Sequence, residues 1–331
     1  LRVEVLVVSI GSVTSRIVPT SKVRTTPPPL MTPTLQLQSI SKSFGDFQAV
    51  DGVSFSVPQG AIYGLLGPNG AGKTTTLRMI MDIIAPDSGL VLFNGHPRYR
   101  TDLARVGYLP EERGLYRKMT VTDQLAFLAE LHGVRRREAL PTIQSWLERV
   151  ELADWGKRKV EELSKGMQQK IQLIGTILHD PELIILDEPF SGLDPINQGL
   201  FKDLLADYQK QGKTIIFSTH IMEQAEKLCD YICLISRGRT ILEGELSTLK
   251  RRLSGNSYRL LADGDLERLD EVAGVRQALF HDGSAKLLLE PGARGSDVLS
   301  ELVGFLEVHE FRSQEPDLEE IFIKAVRDAA E

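Results

Sequence analysis

The sequence predicts an α/β protein, a parallel sheet wrapped by helices, followed by a small α+β domain. Three observations predict it. From about Leu35 to Glu245, short apolar runs alternate with helical periods, the pattern of strands buried on both faces and joined by helices. One strand-to-helix junction carries a glycine-rich loop, GPNGAGKTT, with phosphate-binding spacing. Beyond about Arg252 the pattern becomes strand, helix, hairpin, helix, strand and helix.

Bulk composition fits this division. The 331 residues are 42% hydrophobic and 25% charged, the make-up of a globular protein, and about 150 residues per domain makes two domains the expectation. A net charge of -6 argues against a basic nucleic-acid face, so no nucleic-acid partner is expected. No apolar stretch approaches the ~18 residues of a membrane-spanning helix. The two cysteines, Cys229 and Cys233, lie in the apolar segment KLCDYICLIS without the His or Cys neighbours a tetrahedral metal site needs, and read as buried, reduced packing.

Residues 1–33 are rich in Ser, Thr and Pro, end in TTPPPLMTPT and show no period, so they are expected to be disordered or an extension upstream of a start at Met31. The uncharged run Val5 to Ser15 is too interrupted to read as a signal peptide. Residues 34–250 form the first domain. Its core strands are expected at Ile62 to Leu66, Val106 to Leu109, Leu183 to Leu186, Thr214 to Ser218 and Tyr231 to Ser236. Between the second and third lies a helical insert, about residues 112–175. There Val121, Leu125, Leu128 and Leu131 share one helical face, with Thr120 or Thr122 as N-cap and Gly133 as the stop. In residues 251–331, strands are expected at Tyr258 to Leu261 and Glu307 to Arg312, and a hairpin from Gln277 to Glu290 turning at His281 to Ser284. Helices are expected at Leu266 to Val272, Ser296 to Leu302 and Leu318 to Val326. No internal repeat changes this division.

The loop Gly67, Pro68, Asn69, Gly70, Ala71, Gly72, Lys73, Thr74, Thr75 follows the strand IYGLL and opens a helix. Its glycines let backbone N–H groups turn toward phosphate oxygens, and the helix adds its positive end. Lys73 is placed to neutralise the β- and γ-phosphates and Thr74 to offer its hydroxyl to Mg²⁺. The run LIILDEP ends in two acids at the carboxyl edge of a sheet, where doubly wound folds bind ligands. Asp187 there would hold Mg²⁺, and Glu188 would polarise the attacking water as a general base. A lone acid pair is usually a solvated strand end; the phosphate loop tips the reading to function. The run TIIFS leads to Thr219-His220 on the same edge, which places His220 to contact a γ-phosphate. LSKGMQQK opens another helix with Ser164 as N-cap.

The order of phosphate loop, helical insert, LS-x-G-x-Q, LIILDEP, SGLD and STH resembles the nucleotide-binding subunit of ABC transporters across about Leu35 to Glu245. The resemblance implies a P-loop NTPase cassette, a mixed and mostly parallel sheet with a helical subdomain, that hydrolyses ATP with Mg²⁺. It implies a homodimer in which Ser164 and Gly166 of one copy cap the γ-phosphate held by Lys73 of the other. It also makes Ser191 to Asp194 the loop passing between the two sites and Phe44 the aromatic that stacks on adenine. No Asn-Lys-x-Asp guanine-reading motif is present, which favours ATP over GTP. The family further implies a separate transmembrane permease and a peripheral position on the cytoplasmic face of the membrane.

Lys165 and Met167 depart from the usual glycine and glutamine of the signature, while Ser164 and Gly166 remain. In GYLPEERGLY, Glu111 takes the place of a glutamine that reaches Mg²⁺. A carboxylate can ligate the metal, but beside a triphosphate it adds a like charge costing about 1 to 4 kcal/mol at ~4 Å, so Glu111 is expected to approach only with Mg²⁺ bound. The EERGLY loop and the ending LEEIFIKAV are similar to ATPases of bacterial sodium and antibiotic exporters, which favours export. The alternative is a non-transport ATPase of the same kind acting on a soluble or nucleic-acid partner. Ribosome-acting relatives join two cassettes and DNA-repair relatives insert long coiled coils, and neither feature occurs here. A regulator without turnover is disfavoured because Lys73, Asp187, Glu188 and His220 are all present.

Overall fold

The apolar runs become strands in the computed structural model, which describes residues 32–112, 114–253, 256–281, 284–290, 292–314 and 316–328. The expectations for residues 1–31 and for Asp282 and Gly283 lie outside them. In chain order come β1 (Leu35–Phe44), β2 (Phe47–Val57), β3 (Ile62–Leu66), α1 (Lys73–Ile80), β4 (Ser88–Phe93), β5 (His96–Pro97) and β6 (Val106–Leu109). Three helices follow, α2 (Val121–Leu131), α3 (Arg136–Arg149) and α4 (Lys165–Ile177). Then β7 (Leu183–Asp187), α5 (Pro195–Lys210), β8 (Thr214–Thr219), α6 (Met222–Leu228), β9 (Tyr231–Ser236), β10 (Arg239–Glu245) and α7 (Leu246–Leu253) complete this part.

The central sheet has the order β10-β9-β3-β8-β7-β6. Strands β6, β7, β8, β3 and β9 pair in parallel, and β10 alone is antiparallel. Every residue of β3, β7 and β8 is buried, which is why these segments read as unbroken apolar runs rather than alternating ones. The turn from β9 to β10 is a two-residue connection, Arg237-Gly238, with φ of +48° and +77°, the conformation that lets a tight hairpin reverse the chain. A second, antiparallel sheet of order β2-β1-β4-β5 packs through Leu35, Val50, Val53 and Phe93 against α1 and one face of the central sheet. The other face packs on α5 and α6 through Phe201, Leu204, Leu205 and Ala225. Cys229 and Cys233 are free and buried, and burial pushes the Cys233 thiol up to about 12, so it stays protonated and inert near neutral pH.

The helical insert has its own core of Val121, Leu125, Ile143, Leu147, Ile171 and Ile174. Thr120 caps α2 by accepting the Asp123 N–H at 3.2 Å, a contact of about 1 kcal/mol. Gly133, at φ +83°, follows the helix end. Leu131, expected on the buried face, is 66% exposed instead. At about 100° per residue it lies roughly 80° around the helix from Val121, at the rim of the stripe. Ser164 caps α4, accepting the Met167 N–H at 3.2 Å.

The C-terminal region forms a third sheet from β11 (Ser257–Gly264), β12 (Val275–His281), β13 (Ser284–Leu289) and β14 (Leu306–Ser313), ordered β12-β13-β11-β14 and wholly antiparallel, with α8 (Gly295–Leu302) between its last two strands in sequence. The segment expected as a helix near Leu266 is a tight 3-10 turn, Leu266–Glu271, that buries Leu269 and is too short to show a helical stripe. The final helix, α9 (Leu318–Asp328), buries Leu318 in the same core as Leu246 and Leu249 of α7.

Two glycines test this packing in opposite directions. A Cβ on Gly107 would lie 2.3 Å from the Thr176 carbonyl oxygen, so Gly107→Ala is expected to destabilise by about 1 to 3 kcal/mol. Gly199, inside α5, faces open space, and Gly199→Ala is expected to stabilise by about 0.5 to 1 kcal/mol. Thermal and urea melts of the two variants check both signs.

Candidate nucleotide site

The parallel register decides which side chains meet. Leu66, the last residue of β3, pairs with Thr219, and Asp187, the last of β7, pairs with Ser218. The loop after β3, the acids ending β7 and the histidine after β8 therefore emerge from one edge of the sheet. They meet at a cavity of about 440 Å³ lined by Asn69, Gly70, Ala71, Gly72, Lys73, Thr74 and Thr75 of the loop. Phe47, Ala49, Glu111, Glu188, Ser191 and His220 complete its wall.

Two glycines of the loop are required by close approach. Gly67 has φ +153°, and a Cβ there would lie 2.1 Å from the Ile235 carbonyl oxygen; Gly72 has φ +104°, with the Ala49 carbonyl 2.5 Å from such an atom. Any larger residue would push the loop off β9 and β2. Gly72 precedes α1, so the cavity faces the N-terminal end of that helix, where free N–H groups and the helix dipole favour an anion.

Lys73 is buried and folded back onto its own loop. Its ammonium donates to the carbonyls of Gly67 at 2.8 Å and Pro68 at 3.2 Å, and lies 3.4 Å from Glu188. Glu188 is also reached by His220, whose Nδ1 is 3.1 Å from both carboxylate oxygens. An ionised carboxylate only accepts, so in that state Nδ1 carries the proton. The Glu188 backbone has φ +47°, a left-handed conformation a non-glycine residue takes at a cost of about 1 kcal/mol or more, and such strain clusters at functional sites.

Behind the wall, Asp187 is 1% exposed. Its Oδ1 accepts from the hydroxyls of Thr74 at 3.2 Å and Ser218 at 2.5 Å, while Oδ2 is buried without a hydrogen-bond partner among the described residues. A buried carboxylate oxygen left without a donor beside a threonine hydroxyl fits a hard divalent cation. Tyr108 stands nearby; burial, then the Asp187 charge, pushes its hydroxyl up to about 12, so it remains a neutral neighbour.

Of the residues expected to bind nucleotide or metal, Phe44, Gly67, Pro68, Asp187, Ser164 and Gly166 do not line this wall, the last two being the pair expected to serve the other copy. Phe44 is 49% exposed and pairs across the end of the β1–β2 hairpin with Phe47, the ring that does line the cavity. The Lys42 ammonium sits 5.8 Å from the centre of the Phe44 ring instead. Ser164 and Gly166 open α4 outside the cavity, and a Cβ on Gly166 would lie 3.3 Å from the Asn197 amide nitrogen at the start of α5. Asp194 caps α5 by accepting the Asn197 N–H at 2.9 Å, which anchors the Ser191 to Asp194 loop. Sequence reasoning gave no role to Phe47 or to Ser218, which closes the run TIIFS.

Known proteins carry the same combination. The chain matches a family model for ABC transporters over residues 50–191 and one for the C-terminal domain of DrrA1-3-like ATP-binding proteins over residues 244–326. It is 42% identical over 292 residues to YhaQ, an ABC transporter ATP-binding protein of Bacillus subtilis, covering 88% of this chain and 98% of that one. The chain belongs to the ABC transporter ATP-binding protein family. Members of that family are ATPases. This ABC subunit is also 40% identical to the Nod factor export ATP-binding protein I of Paraburkholderia xenovorans, over 65% of this chain and 72% of that one. Among solved structures, the ATP-binding subunit of an ABC transporter superposes with a TM-score of 0.61 at 29% identity, covering 66% of this chain and 92% of the other. The ADP conformation of the cassette MJ1267 gives 0.57 at 24% identity, over 64% and 91%, and shares the fold. Among the described residues of this ABC subunit, no helix is long and apolar enough to cross a membrane.

Proposed function

We propose that this chain is the motor of an exporter, in which two copies close head to tail over two ATP molecules and drive a separately encoded permease from the cytoplasmic face of the membrane. The observation that carries the reading is the meeting of Lys73, Glu188 and His220 on one cavity wall, with Asp187 directly behind it. Ser164 and Gly166 lie outside that wall, which supports their service to the partner copy's nucleotide rather than their own. The likeness to a Nod factor export protein and to the DrrA1-3-like C-terminal domain supports export.

Each residue then has a role in chemical terms. A triphosphate in the cradle draws the Lys73 ammonium off the Gly67 and Pro68 carbonyls, because anionic oxygens are better acceptors than neutral ones. That movement breaks the contact with Glu188 and leaves its carboxylate free to polarise water. His220 turns from Glu188 toward the γ-phosphate and reports its presence. Thr74 and Asp187 would hold Mg²⁺, which would supply charge neutralisation at the phosphates, with Glu111 of the cavity wall as a further ligand. An aromatic at the end of the β1–β2 hairpin, Phe44 or Phe47, stacks on adenine.

Glu188→Gln is expected to lower ATP turnover at least about 100-fold while ATP affinity stays within a few-fold of the native value. The same variant is expected to elute as a dimer in ATP and to carry a membrane protein with it from detergent extracts. A monomer in ATP, or extraction with a soluble or nucleic-acid partner alone, would contradict the reading. Glu111→Gln separately tests the metal contact: the Mg²⁺ concentration for half-maximal ATP binding and the permease-stimulated rate are expected to change, and if neither moves, Glu111 does not reach the metal.

A further inference from the structure

Ser218, the first residue of STH, was given no role above, yet it touches both acids of the site. It lies in β8, fully buried. Its hydroxyl donates to Asp187 Oδ1 at 2.5 Å and accepts the Glu188 backbone N–H at 3.0 Å. A serine hydroxyl has one proton and two lone pairs, so both bonds can exist only in this sense: the proton goes to the carboxylate and a lone pair receives the amide.

The register explains why a side chain takes this place. The β7–β8 pairing ends at Asp187 opposite Ser218. The next amide, that of Glu188, would continue the ladder to a backbone carbonyl in an unbroken strand. Instead Glu188 turns to φ +47°, and its N–H is met by the hydroxyl of the last paired residue. One oxygen thus closes the ladder, holds the strained backbone that aims the Glu188 side chain, and fixes the rotation of Asp187. With Oδ1 engaged by Ser218 and Thr74, it is Oδ2 that stands without a partner.

We infer that Ser218 is a positioning residue for the ATPase reaction, orienting the Asp187 carboxylate toward the metal and the Glu188 backbone toward the attacking water with one hydroxyl. This rests on the proposed roles of Asp187 and Glu188. Removing the hydroxyl frees Asp187 to rotate about its side chain and leaves the Glu188 amide without an acceptor. Metal affinity and turnover then fall together, while binding of metal-free ATP to the loop and α1 does not change.

The test uses the full chain with Ser218→Ala, reading ATP affinity in chelator, the Mg²⁺ concentration for half-maximal effect on bound fluorescent ATP, basal kcat, and the apo melting temperature. Removing a partner that orients a metal ligand is expected to raise the Mg²⁺ half-point about 10-fold and lower kcat about 10-fold, with ATP affinity in chelator within about twofold. An unchanged Mg²⁺ half-point overturns the inference, including the case where only the melting temperature falls, which marks a merely structural serine. Asp187→Asn is measured in parallel. If that variant also leaves the Mg²⁺ half-point unmoved, the role of Asp187 itself fails; if it moves and Ser218→Ala does not, only the inference about Ser218 fails. Should Ser218→Ala not fold, Ser218→Cys, of similar shape and weaker hydrogen bonding, takes its place and is expected to shift the Mg²⁺ half-point in the same direction.

Discussion

Parallel pairing of β3, β8 and β7 is the constraint from which the site follows. Three neighbouring strands that run the same way deliver their C-terminal ends to one edge, and their register, Leu66 with Thr219 and Asp187 with Ser218, sets what stands beside what. A slip by one residue would turn every side chain to the opposite face and separate the acid pair from the loop. The apolar run in each strand thereby does two things: burial of its side chains on both faces holds the register, and the register places the chemistry.

At that edge the buried ammonium is paired without nucleotide. Lys73, 6% exposed, is held by two loop carbonyls and by Glu188, which His220 also contacts. A buried ion pair is costly to break by deleting one partner, about 3 to 5 kcal/mol, because the other charge is left uncompensated. Phosphate in the cradle would keep the ammonium compensated, and the cost would fall on Glu188, which retains only His220 beside it. Binding and the release of Glu188 are on this view one event, and the bond from the Glu188 N–H to Ser218 of β8 holds the strained backbone from behind.

Much of this was legible in the sequence, and the rest was hidden for identifiable reasons. The five central strands read directly because burial on both faces makes each an uninterrupted apolar segment. Strands β1, β2 and β4 alternate buried and exposed residues with irregular register, and β1 and β2 hold polar residues such as Ser39, Ser41 and Ser54, so no clear period marked them. Leu131 shares the helical spacing of its neighbours, yet lies at the rim of the stripe, where spacing alone does not decide burial. In the site, Lys73, Asp187, Glu188 and His220 announced themselves by their place after apolar runs. Phe47 and Ser218 did not: a hairpin end turns one of two nearby rings to the cavity, and a serine closing a hydrogen-bond ladder looks like any strand residue until the register is known.

The C-terminal sheet joins this machinery through its last helix. Glu226 of α6, a helix that begins two residues after His220, accepts the Leu318 N–H of α9 at 3.0 Å and pairs with Lys250 of α7 at 2.6 Å. The site and the added lobe therefore share one short helix. The central claim, that the cradle recognises a chain of phosphates rather than a base, is tested most directly by equilibrium binding of ATP, ADP and AMP to the full chain in Mg²⁺. Affinity falling with each phosphate removed, with AMP at least about 100-fold weaker than ATP, is the result the account predicts. AMP binding as tightly as ATP would contradict it.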